Sequence, residues 1–213
     1  MATVTLHLGP LDRGRRLTLD EFRNADCEEG YRYELGRGVL EVTKVPGTRH
    51  CQVVSNLYRA IASYDTVQPR AVLRFGGGSE SRLWIPAMVS GRNPDLAVVL
   101  RDQPGADRRD PAPSLVGEVV SARSGHRDYV LKREEYLAYG IAEYWIVDFL
   151  ARRFTLLARD GDAWREQVIP DDRPIPSVVL PGLTTTVADL WADLDYYDPD
   201  VEDEDEELDA PGA

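Results

Sequence analysis

The sequence is short of several things, and each shortage closes off a class of protein. Only two cysteines, Cys27 and Cys51, occur in 213 residues, and they form no C-x-x-C pair. That argues against a disulfide scaffold and suits two spare thiols in a reducing cytoplasm. Only three histidines occur, without ligand spacing, which argues against zinc. No apolar run approaches the ~20 residues that span a bilayer. Met1 to Pro10 lacks the basic start and apolar core of a signal peptide. A cytoplasmic protein with no membrane partner is the expectation. Gly76-Gly77-Gly78-Ser79 is not followed by Gly-Lys-Ser/Thr, so it reads as a turn and not as a phosphate-binding loop. No internal repeat is visible.

A net positive charge is missing as well. The net charge is -12, but eleven acids and no Lys or Arg lie from Asp193 onward, so residues 1–192 sum to -1. The reading is one folded domain over 1–192 and an acidic C-terminal tail over 193–213 that cannot bury apolar area and stays disordered. A near-neutral body is not the footprint of a protein that coats nucleic acid, though it leaves room for a local basic groove. The tail reads as a solubility segment, or as a charge mimic of DNA that shields a site.

What is present is a succession of short β-rich runs with two longer helical patterns. Thr18-Leu19-Asp20-Glu21 is a capping box that opens a helix to about Cys27. Tyr31 to Leu35 and Val39 to Thr43 flank Gly36-Arg37-Gly38 and predict a hairpin. Thr48 caps a helix to about Tyr64, with Val53, Val54, Leu57, Ala60 and Ile61 on one face. Strands follow at Val67 to Phe75, Leu83 to Val89, Leu96 to Leu100 and Leu115 to Val120. A helix from about Arg127 to Tyr139 stops at Gly140. A strand over 142–148 and a hairpin, 154–158 with 163–169, come next. The segment 178–187 and a short helix over 188–191 close the domain. This order gives a mixed sheet with helices packed on it, class α/β or α+β.

Two of the apolar runs each carry a carboxylate where an apolar residue belongs. Asp95 precedes Leu96 to Leu100, and Glu118 lies within Leu115 to Val120. A buried charge is costly unless it is paired or binds a metal. Carboxylate oxygens suit Mg²⁺ or Mn²⁺. On the following helix Asp128, Lys132, Glu135, Tyr136 and Tyr139 share one face, and Val130, Leu131, Leu137 and Ile141 read as the opposite, core-facing side. Taken alone, Asp128 and Lys132 are an ordinary surface pair four residues apart. Val120, two residues after Glu118, holds the strand position where many carboxylate-metal nucleases carry a lysine. His50 sits near the start of its helix, on a mostly apolar face.

Tyr33-Glu34-Leu35 with Gly38-Val39-Leu40-Glu41, His50, Pro94-Asp95, Glu118-Val119-Val120-Ser121, Asp128, Lys132, Tyr136, Gly140, Glu143-Tyr144-Trp145, Asp148 and Leu180-Pro181-Gly182-Leu183 follow one another in an order that resembles the Uma-two family. These are bacterial restriction-endonuclease-like proteins placed in the PD-(D/E)XK nuclease superfamily. The resemblance covers about residues 17–192. It departs in the long turn from Gly76 to Asn93 and in the acidic tail. It implies a restriction-endonuclease-like core, with Asp95 and Glu118 holding Mg²⁺ (or Mn²⁺) and the lysine moved from the strand to Lys132 on the helix. Glu34 or Glu41 would supply the family's early acid, with His50, Asp128 and Tyr136 in support. The implied activity is hydrolysis of DNA phosphodiesters, with a C2 homodimer as the form that cuts both strands. The alternative is a nuclease-fold module without catalysis that binds nucleic acid or a protein.

Overall fold

The computed structural model describes residues 5–108, 111–122 and 124–197. The first capping box forms as read. The Thr18 hydroxyl accepts from the Glu21 amide at 3.2 Å, and the Glu21 carboxylate accepts from the Thr18 amide at 2.8 Å. A cap of this kind contributes about 1 kcal/mol. Helix α1 is nonetheless only Leu19–Arg23, shorter than expected. The chain leaves it so that Asp26–Cys27 (β2) can pair in parallel with His7–Leu8 (β1).

The hairpin of β3, Tyr31–Gly36, and β4, Val39–Lys44, lies where its turn predicts. Helix α2 runs Thr48–Val67 and is capped by Gly47, not Thr48. It consumes Val67, so the next strand, β5, is confined to Val72–Gly76. The single strand expected over 83–89 is instead the first half of a hairpin. Leu83–Ile85 (β6) pairs antiparallel with Ser90–Arg92 (β7). Pro86 cannot donate to a ladder and starts the turn. Val89 ends it at φ 51°, a left-handed value that β-branched residues rarely adopt. No sequence signal marks such a turn at a valine.

The remaining strands are β8, Leu96–Leu100; β9, Leu115–Val119; β10, Glu143–Asp148; β11, Arg153–Asp160; and β12, Ala163–Ile169. Helix α3, Lys132–Tyr139, ends at Gly140 with φ 99°, and α4 is Val187–Leu190. The strands divide into separate sheets where one mixed sheet was expected. Six strands in the order β12-β11-β10-β9-β8-β5 form the large one, and β4-β3-β7-β6 form a four-stranded antiparallel one. Within the large sheet β9 and β10 are parallel, and the other neighbours are antiparallel. A parallel pair needs a crossover, and α3 lies on it. The α+β class holds.

The two faces of the large sheet make two cores. Leu96, Val98, Leu115, Val119, Trp145 and Val147 pack against α2 and the C-terminal segment. Val116, Val120, Tyr144 and Ile146 pack against Tyr136 and Ile141 on the α3 side. Leu194 is fully buried in the first core, and the Tyr197 hydroxyl donates to Gln52 at 3.3 Å. The folded body therefore continues past Ala192 to Tyr197. The rest of the acidic segment lies outside the described residues. Among the described residues no helix is long and apolar enough to cross a membrane.

Of the α3-region residues expected in the core, Ile141 is fully buried but the other three are not. Val130 is 40% exposed and Leu131 and Leu137 are half-buried, whereas Asp128, Lys132, Glu135 and Tyr136 are buried. Arg127–Leu131 is a π-turn, in which the Lys132 amide donates to the Arg127 carbonyl five residues back. Such turns add a residue to the helix and often mark functional sites. Here one delivers a polar face to the sheet, and the sheet has charges to meet it.

Candidate active site

Strand alternation places the two acids. Leu96 pairs with Gly117 across β8 and β9, and Asp95 and Glu118 are each one residue further along. Directly opposed residues of an antiparallel pair share a face. Leu96 and Val119 belong to the α2-side core, so Glu118 turns to the α3 side, while Asp95, just before β8, sits at the sheet end between β3 and the start of α2. The Val119 amide donates to Asp95 Oδ2 at 2.8 Å and ties the acid to the neighbouring strand.

Lys132 reaches into this corner from α3. Its Nζ lies 2.9 Å from Glu118 Oε2, 3.4 Å from Glu34 Oε2 and 3.4 Å from Asp128 Oδ1. The pair of Asp128 and Lys132 is thus a buried contact and not a surface one. Tyr136 donates its hydroxyl to Glu118 Oε1 at 2.5 Å. On the other acid, Asp95 Oδ1 accepts from Arg32 at 3.1 Å and lies 3.2 Å from His50 Nε2. Asp95, Glu118, Lys132, Glu34, His50, Asp128 and Tyr136 therefore come together. Tyr139 is only half-buried.

The choice between Glu34 and Glu41 has a geometric answer. The two are cross-strand partners in the first hairpin. Glu34 reaches Lys132. Glu41 stops at Arg92, 2.7 Å away, with Arg127 at 3.7 Å. Arg92 is fully buried and also holds Glu135, through Nε at 2.7 Å and Nη2 at 3.0 Å, and Glu34 at 3.4 Å. One guanidinium on β7 thus binds β3, β4 and α3 together.

Several members of this site carry no signal in the sequence. Arg92 and Arg32 are two arginines among many. Glu135 appeared only as part of a helix face. Gly77 looked like one residue of a flexible turn, but a Cβ there would meet the Asp95 carbonyl oxygen at 2.2 Å and the Tyr58 hydroxyl at 2.6 Å. The glycine loop therefore runs directly against the backbone that carries Asp95, with the Gly78 amide donating to the Pro94 carbonyl at 2.7 Å.

The charges are strongly perturbed. Burial alone would raise the Asp95 carboxyl, but His50, Arg32 and Lys132 outweigh it and hold it well below the usual carboxylate range. Glu34 is pulled down to about 2, because Lys132, Arg92 and Arg127 overcome its burial. Glu118 goes the other way, up to about 8. Burial dominates, and Asp95, Asp128 and Glu34 add repulsion that Lys132 does not cancel. Lys132 is raised because Glu118, Glu34 and Asp128 outweigh its own burial.

Glu118 gives a measurable consequence. It keeps its proton up to about 8 when folded, against a reference near 4.5. Between these values the folded state binds more protons than the unfolded one, so stability should fall as pH rises through that window. Glu118→Gln should remove that fall. Denaturant unfolding at pH 5, 6.5 and 8 checks it, and an unchanged slope in the variant would refute this assignment.

For Mg²⁺ or Mn²⁺ the donor chemistry fits. Asp95 and Glu118 are neighbours across a strand pair and offer hard oxygens. Asp128 Oδ1 is buried in the same corner and makes no hydrogen bond, its 3.4 Å contact with Lys132 being an ion pair. Among the described residues no set of three His, Cys, Asp or Glu side chains is gathered for a metal ion. The Glu118 oxygens are held by Lys132 and Tyr136. The two cysteines are free.

A cleft of about 690 Å³ opens onto the Asp95 end of this cluster, lined among others by Arg32, His50, Tyr58, Gly77 and Asp95. It is bounded by the β2–β3 segment, the first half of α2 and the glycine loop.

Comparison with known proteins bears on the fold and the family. A crystal structure described as "a putative nuclease belonging to DUF820", from Anabaena variabilis, superposes with a TM-score of 0.67 at 18% identity, covering 84% of this chain and 99% of that one. At that identity the likeness shows a shared nuclease fold. No curated protein matches the chain. The model of the Uma2 family, described as "Putative restriction endonuclease", matches residues 19–188. With its acids, its helix lysine and its early Glu34 all inside that match, the chain belongs to the Uma2 family.

Proposed function

We propose that this protein is a divalent-metal-dependent endonuclease that hydrolyses DNA phosphodiesters at the Asp95–Glu118–Lys132 corner. The single observation that carries the reading is the ammonium of Lys132 within 3.4 Å of three buried carboxylates beside Asp95. Pairs of titratable groups with pKa values pushed apart are concentrated at functional sites. Here Asp95 and Glu34 are lowered and Glu118 is raised.

Asp95 and Glu118 would hold the ion, Mg²⁺ or Mn²⁺. Bound there, it would supply Lewis acidity toward a phosphate oxygen and lower the pKa of a water. The chain's own residues have separate tasks. Asp95 stays charged because Arg32 and His50 stabilise its carboxylate. Tyr136 and the Glu34–Lys132 contact fix where the Glu118 carboxyl points. Lys132 stands beside the acids as a positive group that would neutralise charge building on phosphorus. Burial of the corner keeps bulk water from weakening that effect.

A plasmid or oligonucleotide cleavage assay in Mg²⁺ or Mn²⁺ tests this. Wild type should cleave, and Asp95→Ala and Glu118→Ala should not; cleavage unchanged in both variants would end the proposal. One observation favours the second reading, a binding module without catalysis. Each oxygen of Asp95 and Glu118 already has a partner in the protein. Under that reading wild type and both variants bind nucleic acid alike and none cleaves it. A homodimer and a cytoplasmic location remain parts of the proposal.

A further inference from the structure

We propose that the cleft beside Asp95 takes single-stranded DNA, lodging unpaired bases against Tyr31 and Tyr58. This rests on the nuclease reading of the site. The cleft opens onto one end of the cluster, where it reaches Asp95 and His50. Its volume of about 690 Å³ is that of a small-molecule pocket, which accepts a nucleotide or two but not a duplex.

Charge points the same way. Affinity for a duplex comes mainly from Lys and Arg on the phosphates. Here Arg32 is spent on Asp95, and Arg82 is held by Asn93 Oδ1 at 2.7 Å while its guanidinium lies over the Trp84 ring. Glu28 and Glu29 stand on the same lining. The wall carries Glu28, Glu29 and Asp95 against Arg32 and Arg82, so a strand must seat its bases on it and turn its phosphates outward, and the rings that meet those bases are Tyr31, Tyr33 and Tyr58. The Tyr58 hydroxyl donates to the Asp95 carbonyl at 3.1 Å, which fixes that ring next to the site. Phe75, 38% exposed, packs edge-on against Tyr58 with ring centroids 5.8 Å apart and braces that ring. Aromatic platforms bind successive unpaired bases of any sequence, because every base has a π-face.

Fluorescence anisotropy of the full chain in EDTA, so that no cleavage intervenes, reads this directly. The probes are a labelled 12-nucleotide single strand, the duplex of the same sequence and the matching RNA strand. The single DNA strand should bind at least about tenfold more tightly than the duplex. Tyr31→Leu should weaken it about tenfold, and Tyr31→Phe should recover most of the loss by restoring the ring. Thermal melts show whether each variant is folded. Duplex bound as tightly as single strand, RNA preferred to DNA, or an affinity unmoved in a folded Tyr31→Leu protein would each overturn the proposal. Tyrosine-dependent single-strand binding without metal-dependent hydrolysis would support it and sink only the nuclease reading. Cleavage that prefers duplex would do the reverse.

Discussion

Lys132→Met should lower phosphodiester cleavage by at least about 10²-fold. It should also cost about 3–5 kcal/mol of folding stability at neutral pH, the usual loss when one partner of a buried ion pair is removed. Both effects have one cause. The ammonium contacts Glu118, Glu34 and Asp128, and all four groups are buried. Without it Glu34 and Asp128 remain away from water without their counter-charge, beside a Glu118 that burial keeps largely protonated at neutral pH. Glu34, which Lys132 holds low, then takes up a proton more readily, so the variant should recover stability on acidification more steeply than wild type. Urea unfolding at pH 5 and pH 7.5, run beside the cleavage assay, separates the two losses. A variant as stable as wild type at pH 7.5 would mean that the lysine does not hold the acids together.

Arg92→Met should cost a similar about 3–5 kcal/mol, by the same argument applied to Glu34, Glu41 and Glu135. The side chain is fully buried, and its carboxylate partners come from three different elements. Arg92→Lys should not rescue it. A guanidinium binds Glu135 through two nitrogens and Glu41 through a third, whereas an ammonium is a point charge on a shorter reach. The Gly36 position shows how closely the network is fitted. A Cβ there would lie 2.1 Å from Glu41 Oε1 and 2.6 Å from Arg92 Nη2. Chemical denaturation of the three proteins measures the effect, and a lysine variant as stable as wild type would refute the multidentate role.

Some of this was legible in the chain. Asp95 and Glu118 could be found because an acid inside a β-branched run is anomalous by itself. Lys132 is one of only two lysines, against many arginines, and its spacing from Asp128 put both on one helix face. What failed was the assignment of Val130, Leu131 and Leu137 to the core. Periodicity says which residues share a side but not which side faces inward, and the π-turn adds a residue that a regular helix does not have. The hairpin at Val89 failed because it uses a left-handed valine in place of glycine or asparagine. Arg92, Arg32 and Gly77 were illegible for a different reason. Their roles come from elements distant in sequence meeting at one corner, and nothing local records that meeting. The split into separate sheets is likewise a matter of pairing, which alternation does not specify.

The reading of the site depends on Asp95 and Glu118 sharing a divalent ion. Calorimetric titration of Mn²⁺ into the wild-type chain at pH 7, in two buffers of different ionisation heat, measures that directly. One ion should bind per chain and release a proton, since Glu118 is protonated at that pH without it, and Asp95→Asn and Glu118→Gln should each abolish binding. A wild-type protein that binds no ion, or variants that bind it with unchanged affinity, would contradict the account.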